Sequence, residues 1–311
     1  MKLSQLFLIG LPADNDLAFV HEFDPSGVIL MGRNARPFDE IRALSEQLRG
    51  KIISTDHEGG RVQRLKEGFS VLPSAREVAL GGAENVFYTA RRVAIELSEA
   101  GINLNFAPVC DVPTHAEDTI IGTRAFSTSF QVAGEMAAAY ISGLKPLVGA
   151  CAKHFPGHGG VGLDSHLALP TFEGTQADLE PHLIPFRAAI AANVAAIMVG
   201  HIAVTCFDPW GAPASLSEPI IQGLLRQDLG FKGLIISDDL EMGALSSLGA
   251  GEIAVRALEA GCDLLLFCHT QSKARDALRA VENALREGRL TEQNLSASLQ
   301  RIATFKARFG A

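Results

Sequence analysis

The sequence predicts an α/β protein in which eight parallel strands, each followed by a helix, close into a (β/α)8 TIM-type barrel. Eight short apolar runs are bounded by turn residues and are hydrophobic throughout, which is typical of strands buried on both faces. Segments with helical periodicity alternate with these runs. No G-x-G-x-x-G follows the first run, which disfavours a doubly wound open sheet as the alternative.

The strand predictions follow the chain in order. Turn residues separate neighbouring runs, so each run is expected to form one strand. The runs are LFLIGL (6–11), GVILMG (27–32), KIISTD (51–56), INLNFAPV (102–109), VGACAKHF (148–155), AAIMVGHI (195–202), GLIISDD (233–239) and CDLLLFC (262–268).

Three helices are well marked by their ends. Residues 85–100 place apolar side chains on one face, and Gly101 is a suitable C-terminal stop. A helix over 129–145 should end before Pro146, because proline disfavours helical geometry in the residue that precedes it. Thr291 can cap the N-terminus of a last helix.

Length and composition indicate one globular domain spanning residues 1–311. A chain of 311 residues suits a single α/β barrel, and 47% hydrophobic with 20% charged residues is typical of a folded protein. The net charge of −8 argues against nucleic acid or an anionic membrane surface as the main partner. No apolar run approaches the roughly 18 residues that a membrane span requires.

The cysteines and the N-terminal residues predict a cytoplasmic protein. The chain has five cysteines, an odd number, and no C-x-x-C motif, so free thiols in a reducing compartment are expected. The apolar run at residues 6–11 is too short for the core of a signal peptide, and no A-x-A cleavage site follows it.

Polar residues cluster where several predicted strands end. In a (β/α)8 barrel the active site forms at the carboxyl ends of the strands. A charge at the end of a buried strand costs free energy unless it is paired or used. The sequence therefore predicts an enzyme whose site draws on these residues: Asp56, Asp111, Lys153, His154, His201, Asp238 and His269.

The stretch KHFPGHGGVGLDSH, residues 153–166, allows three interpretations. His154, His158 and His166 could bind a metal ion, but the proline and glycines between the first two exclude the helix that would place them on one face. A phosphate-binding loop would have its lysine after the glycines, whereas Lys153 precedes them. The third interpretation is a proton-transfer pair of Asp164 and His166, in which the carboxylate orients the imidazole. A solvated surface loop without function remains the alternative.

The run GLIISDD ends in two aspartates. An aspartate at the end of a barrel strand can be a carboxylate nucleophile or a metal ligand, and it can also cap the next helix. We expect the strand to cover 234–236, Asp238 to face the pocket, and Asp239 to serve the turn into the helix.

Several arginines and one histidine have open interpretations. Arg61 and Arg64 lie beside Asp56 and Glu58 around a glycine turn, where they could form structural ion pairs or hold an anionic or polyhydroxylated ligand. A single loop arginine such as Arg124 is more often solvated than functional. For His201, which follows a strand, a core position and a pocket position fit equally well.

Seven segments, in this order, resemble glycoside hydrolase family 3, in particular its single-domain bacterial β-N-acetylglucosaminidases of the NagZ type. The lysine–histidine loop that ends in D-S-H is the most specific of them. One departure is visible: MVGHI replaces the more usual MTAHV or MPSHI. The segments are DHEGGRVQRL, NFAPVCDV, IGTRAFS, KHFPGHGGVGLDSH, MVGHI, PASLS and GFKGLIISDDLEMGAL, between about residues 50 and 245.

The resemblance implies a retaining exo-hydrolase with defined site residues. Asp238 matches the nucleophile of the family, and His166 matches its acid–base residue with Asp164 as partner. The positions that match those binding the N-acetylglucosamine ring are Asp56, Arg64, Arg124, Lys153 and His154.

The resemblance also implies the substrate: N-acetylglucosamine linked to 1,6-anhydro-N-acetylmuramic acid, with or without peptide, in cell-wall recycling. No cofactor or metal is expected, and we expect a monomer. Three alternatives stay open. They are a β-N-acetylglucosaminide phosphorylase on the same site, a metal-dependent hydrolase using His154, His158 and His166, and a muropeptide sensor without turnover.

Overall fold

A computed structural model describes residues 1–114, 120–161 and 169–311. All eight predicted strands occur, and they pair in parallel as one closed barrel, so the predicted fold class is confirmed. Each strand lies beside its neighbours in sequence, and β8 closes the barrel on β1. The strands are β1 (Phe7–Gly10), β2 (Gly27–Leu30), β3 (Ile52–Thr55), β4 (Leu104–Asn105), β5 (Gly149–Phe155), β6 (Ala196–Val199), β7 (Leu234–Asp239) and β8 (Leu264–Phe267).

Helices surround the barrel and cover its strands. A π-helix, Pro219–Asp228, precedes β7. No helix of the described chain is long and apolar enough to cross a membrane. The α-helices are α1 (Ala18–Phe23), α2 (Phe38–Gln47), α3 (Ala75–Ala79), α4 (Gly82–Glu99), α5 (Phe130–Leu144), α6 (Gln176–Ala191), α7 (Ala250–Ala260), α8 (Gln271–Arg286) and α9 (Glu292–Phe309).

The ends of three helices confirm the sequence signals. Gly101 follows α4 with a φ of 80°, a left-handed conformation that glycine adopts without steric cost. Helix α5 ends at Leu144, and Lys145 follows it in extended conformation before Pro146. The Thr291 hydroxyl accepts one from the Asn294 amide at the start of α9.

The core follows from the continuous hydrophobicity of the strands. Every residue of β2, β3, β5, β6 and β8 is buried, and β5 includes Lys153 and His154 near its carboxyl end. The five cysteines are free, as expected, and four of them are buried. Two polar side chains in a fully buried strand require partners, and these partners lie at the carboxyl-terminal mouth of the barrel.

Two short pairs of strands extend the barrel at this mouth. After β3, the segment His57–Gly59 pairs antiparallel with Val62–Gln63. After β6, the segment Ala203–Val204 pairs parallel with Thr171–Phe172. The first of these extensions contributes Glu58 and Val62 to a cavity at the mouth.

Candidate active site

A cavity of about 480 Å³ opens at the carboxyl ends of the strands. It lies where an active site is expected in a (β/α)8 barrel. Seven of the sequence-predicted site residues line it: Asp56, Arg64, Arg124, Lys153, His154, Asp238 and His269. Asp111 and His201, which were also expected at the site, do not line the cavity. The common position of the seven is observed, whereas their functional roles stay predictions.

Lys153 is the centre of an ion-pair network on the cavity wall. Its Nζ lies 2.6 Å from Asp56 Oδ1 and 2.7 Å from Glu58 Oε1. Burial alone would lower the pKa of Lys153, but the two carboxylates raise it, so the ammonium stays charged. Burial likewise opposes ionisation of Asp56, but Lys153 and Arg64 lower its pKa. Arg64 lies 3.5 Å from Asp56 Oδ2. Ion pairing thus accounts for this arginine without excluding ligand binding.

Glu58 is a residue whose importance the sequence did not reveal. It accepts two hydrogen bonds from Arg124, at 2.9 Å from Nε and 2.8 Å from Nη2. Burial opposes its ionisation, but Lys153 and Arg124 lower the pKa of Glu58 to about 2. Arg124 is therefore held in a fork-like pair and is not a solvated loop side chain. The position of Glu58, three residues after the carboxyl end of β3, is the sequence feature that could have indicated a place at the barrel mouth.

His154 is oriented by a second buried carboxylate, Asp111. The His154 Nδ1 atom lies 2.7 Å from Asp111 Oδ2, and the His154 amide donates to the same carboxylate. The His158 amide also donates to Asp111, at 2.6 Å. Burial would raise the pKa of Asp111, but His154 and these contacts lower it to about 2. An ionised Asp111 fixes the ring of His154 at the cavity wall, and the His158 amide ties the following loop to the same carboxylate.

Asp238 projects into the cavity from the end of β7. Its Oδ1 atom accepts a hydrogen bond from the Asp239 amide at 2.8 Å. Burial would raise its pKa, but His154, His201 and the Asp239 amide lower it below the ordinary value. The carboxylate is thus ionised at neutral pH, which is the state that a nucleophile requires.

The expectation for Asp239 was only half right. The strand continues through Asp239, and a short 3-10 turn at Gly243–Leu245 follows in place of an immediate helix. The Asp239 Oδ1 atom accepts from the Glu241 amide at 3.1 Å, as a turn residue should. It also accepts from the Cys268 amide at 3.2 Å, and the side chain lines the cavity. The shift in register between β7 and β8 at this point turns both aspartates toward the mouth.

His269, from the end of β8, lies against Asp239 at the rim. Its Nε2 atom is 3.3 Å from Asp239 Oδ2, and its Nδ1 atom is 3.3 Å from Arg33 Nη1. Arginine can only donate, so the neutral ring accepts at Nδ1 and carries its proton on Nε2, toward the carboxylate.

His201 has a core position. It is fully buried, with Nε2 2.9 Å from the Asp239 carbonyl oxygen and Nδ1 2.7 Å from the Ser215 hydroxyl. Because a carbonyl can only accept, Nε2 carries a proton and donates it. His201 therefore holds the main chain at the aspartate-bearing end of β7.

The proton-transfer pair predicted from the sequence, Asp164 and His166, lies outside the described residues. His166 is also the third histidine of the metal alternative, so that set is described only in part. Within residues 1–114, 120–161 and 169–311, no group of three or more His, Cys, Asp or Glu side chains could hold a metal ion.

Asp239 provides a prediction about stability and pH. Burial raises its pKa from 3.8 to about 6, so its contribution to stability is complete below pH 3.8 and is lost as the pH rises through about 6. Asp239→Asn does not titrate. We measure the free energy of unfolding of the variant and of the parent by urea titration. The difference, variant minus parent, should rise by roughly 3 kcal/mol between about pH 4 and pH 8. Asp228→Asn, at an exposed carboxylate, controls for the loss of one charge. A difference that stays constant with pH would contradict the prediction.

Comparison with protein families and curated proteins gives a consistent assignment. The model of the glycosyl hydrolase family 3 N-terminal domain matches residues 1–305. A β-hexosaminidase of Thioalkalivibrio sulfidiphilus is 39% identical over 274 residues, which cover 83% of this chain and 77% of that protein. A β-hexosaminidase of Neisseria meningitidis serogroup A is 38% identical over 281 residues, which cover 84% and 77%.

Solved structures agree with this assignment. A glycoside hydrolase family 3 β-N-acetylglucosaminidase from Paenibacillus sp. str. FPU-7 matches with a TM-score of 0.95 at 36% identity. The match covers 99% of this chain but 62% of that one, so this chain spans less than two thirds of the Paenibacillus enzyme. A β-N-acetylhexosaminidase from Beutenbergia cavernae matches with a TM-score of 0.92 at 29% identity, over 98% of this chain and 97% of that one. The chain therefore belongs to glycosyl hydrolase family 3 and is a glycoside hydrolase.

Proposed function

We propose that the protein is a retaining exo-β-N-acetylglucosaminidase that removes terminal N-acetylglucosamine from peptidoglycan fragments. Its substrate is N-acetylglucosamine linked to 1,6-anhydro-N-acetylmuramic acid, with or without peptide, and it acts as a cytoplasmic monomer in cell-wall recycling. One observation carries the proposal: the ionised Asp238 shares a cavity with Lys153, His154 and the Asp56–Glu58–Arg124 cluster. The β-hexosaminidase names of the relatives support the activity.

In the first step, Asp238 attacks the anomeric carbon, and the bond from that carbon to the leaving oxygen breaks. His166 donates a proton to the leaving oxygen, and Asp164 stabilises the imidazolium that exists before donation. Retaining glycosidases generally use two carboxyl groups. A histidine can take the acid role because imidazole titrates near neutral pH.

In the second step, water replaces the enzyme at the anomeric carbon. Neutral His166 takes a proton from this water, and the bond to Asp238 breaks with release of the free carboxylate. Two displacements at the same carbon give net retention of configuration.

The charged residues of the cavity wall hold the sugar ring. Lys153, Arg124 and Asp56 offer donors and acceptors to the ring hydroxyls, while Arg64 and His154 complete the set. Their mutual ion pairs fix these groups before the substrate arrives, so the reacting carbon is positioned against Asp238 with little loss of side-chain freedom.

A comparison of p-nitrophenyl glycosides tests the proposal. We expect hydrolysis of the β-N-acetylglucosaminide at least about 100-fold faster than the β-glucoside in kcat/KM, because a site built around hydrogen bonds rejects a ligand that lacks them. EDTA and inorganic phosphate should leave the rate unchanged. With the anhydromuramic disaccharide, mass spectrometry should detect free N-acetylglucosamine.

Each competing function predicts a different result in the same assay. Loss of activity after exhaustive chelation would indicate a metal-dependent hydrolase. Formation of N-acetylglucosamine 1-phosphate in phosphate buffer would indicate a phosphorylase. Binding of the disaccharide without turnover would indicate a sensor. An initial product of inverted anomeric configuration, seen by NMR, would exclude the retaining mechanism.

A further inference from the structure

The two walls of the cavity carry charges of opposite sign. Among the described residues that line it, the wall that follows β3 and β4 and includes β5 has more cations than carboxylates. The wall at the ends of β7 and β8 is rich in carboxyl groups. An anionic group of a ligand is therefore favoured on the first wall. The first wall carries Arg61, Arg64, Arg124 and Lys153 beside Asp56 and Glu58, and the second carries Asp238, Asp239 and Glu241.

One cation of the first wall, Arg61, has no carboxylate partner of its own. The ion pairs described above bind Lys153, Arg64 and Arg124 to the two carboxylates of that wall. Arg61 forms no ion pair with any residue that the structure describes, and its Nη2 atom donates to the Ile120 carbonyl oxygen. A guanidinium has several N–H donors and this hydrogen bond uses one of them, so the others can bind a ligand.

The main chain that carries Arg61 is fixed by a glycine turn. Gly59 and Gly60 lie at the turn of the hairpin after β3, with φ angles of 104° and 54° that glycine adopts without steric cost. The Gly60 amide donates to the Leu72 carbonyl oxygen at 3.0 Å. A Cβ atom on Gly59 would lie 2.4 Å from the Pro73 carbonyl oxygen, so the turn packs closely against the neighbouring chain. The guanidinium therefore extends from a defined backbone.

Arg61 lies at the open end of this wall. The side chain of Lys153 is 3% exposed and that of Arg64 is 35% exposed, whereas Arg61 is an exposed residue. Lys153 and His154 both lower the pKa of Asp238, so the predicted nucleophile lies near the buried end. The terminal sugar that an exo-hydrolase removes has a fixed size and can fill the buried end. The leaving group can carry a peptide, so it must extend into solvent past the exposed end of the wall.

We infer that Arg61 binds a carboxylate of the leaving group and makes the enzyme prefer acidic leaving groups. The planar guanidinium can bind a carboxylate through two parallel N–H donors. The proposed leaving group offers such a carboxylate, either on the lactyl ether of muramic acid or on the attached peptide. This inference rests on the proposed function, because that function supplies the leaving group. Arg61 determines specificity and takes no part in the two displacement steps.

Steady-state kinetics with two pairs of disaccharides test this role. In the first pair, the lactyl group of the anhydromuramic ring ends in a free carboxylate or in its carboxamide, which has nearly the same shape and no charge. In the second pair, a peptide on the lactyl group has free or amidated carboxyl groups. We expect the parent to favour the acid over the amide about tenfold in kcat/KM in at least one pair, and Arg61→Gln to reduce this ratio to about one through KM. The pair that responds identifies the source of the carboxylate.

Two further variants separate carboxylate binding from a general effect of charge. Lys66→Gln removes an exposed cation of the same segment that does not line the cavity, and it should keep the parental ratios. Arg61→Glu should reverse the preference toward the amide, because two carboxylates repel each other. Unchanged ratios in Arg61→Gln would overturn the inference. So would a parent that does not distinguish acid from amide, or an equal fall of the ratio in Lys66→Gln.

Calorimetry with the Asp238→Ala variant measures binding without turnover. The acid should bind about tenfold more tightly than the amide, and the additional change Arg61→Gln should remove this difference. If the parent hydrolyses neither disaccharide, the proposed function fails. Tighter binding of the acid that depends on Arg61 would still support carboxylate recognition in that case. Equal binding of acid and amide, or no binding of either, would overturn it.

Discussion

Replacing Asp238 with alanine should lower kcat by roughly 10⁴-fold or more, because the covalent step loses its nucleophile. The fold should persist, since the hydrogen bond described for the Asp238 side chain, from the Asp239 amide, stays within β7. The measurement is steady-state hydrolysis of p-nitrophenyl β-N-acetylglucosaminide beside thermal unfolding. Asp228→Ala, an exposed carboxylate before the same strand, is the matched control.

Rescue by a small nucleophile distinguishes a nucleophile from a structural residue. Azide can enter the space left by the missing carboxylate and attack the anomeric carbon from the same side. The expected product from an activated aryl glycoside is the glycosyl azide of inverted configuration. Near-normal activity of Asp238→Ala without azide would refute the nucleophile assignment.

Replacing His166 with alanine should lower the rate by roughly 10²–10⁴-fold for substrates with poor leaving groups. An oxygen of high pKa cannot depart without a proton, whereas p-nitrophenolate can. We therefore expect the disaccharide to suffer most and an activated aryl glycoside to lose less in the glycosylation step. Pre-steady-state kinetics with a series of substituted phenyl glycosides measures how the glycosylation rate depends on the pKa of the leaving group.

The outcome for His166 also tests its partner. Asp164→Asn should show a similar but weaker dependence on the leaving group, because the imidazolium loses a stabilising charge and keeps its proton less well. A uniform loss of rate across the series in His166→Ala would argue against proton donation and favour a role in binding.

Most of the fold was predictable because the strands are buried on both faces. Such strands leave continuous apolar runs, and all eight runs correspond to barrel strands. The closure of the barrel then brings the carboxyl ends together, so five of the seven listed strand-end polar residues line the cavity, while Asp111 and His201 contact the residues that do. The hydroxyl cap of α9 was predictable because a cap acts within one turn of its helix.

The parts that could not be predicted depend on contacts between distant residues. Arg124 lies 66 residues from Glu58, and no local pattern indicates that the two form a fork-like pair. The orientation of Asp239 depends on a register shift between two strands, which the sequence of one strand does not contain. Asp111 was noted only as a strand-end residue, and its contact with His154 became apparent from the structure.

The ion-pair network around Lys153 limits how the sugar specificity of this enzyme can evolve. Lys153 and Asp56 lie 97 residues apart in the chain, yet they form one buried ion pair, and exchange of Lys153 alone removes the nearest cation of both Asp56 and Glu58, at a cost of about 3–5 kcal/mol. A new sugar preference that needs another charge here therefore requires two substitutions at once, through an intermediate that folds poorly.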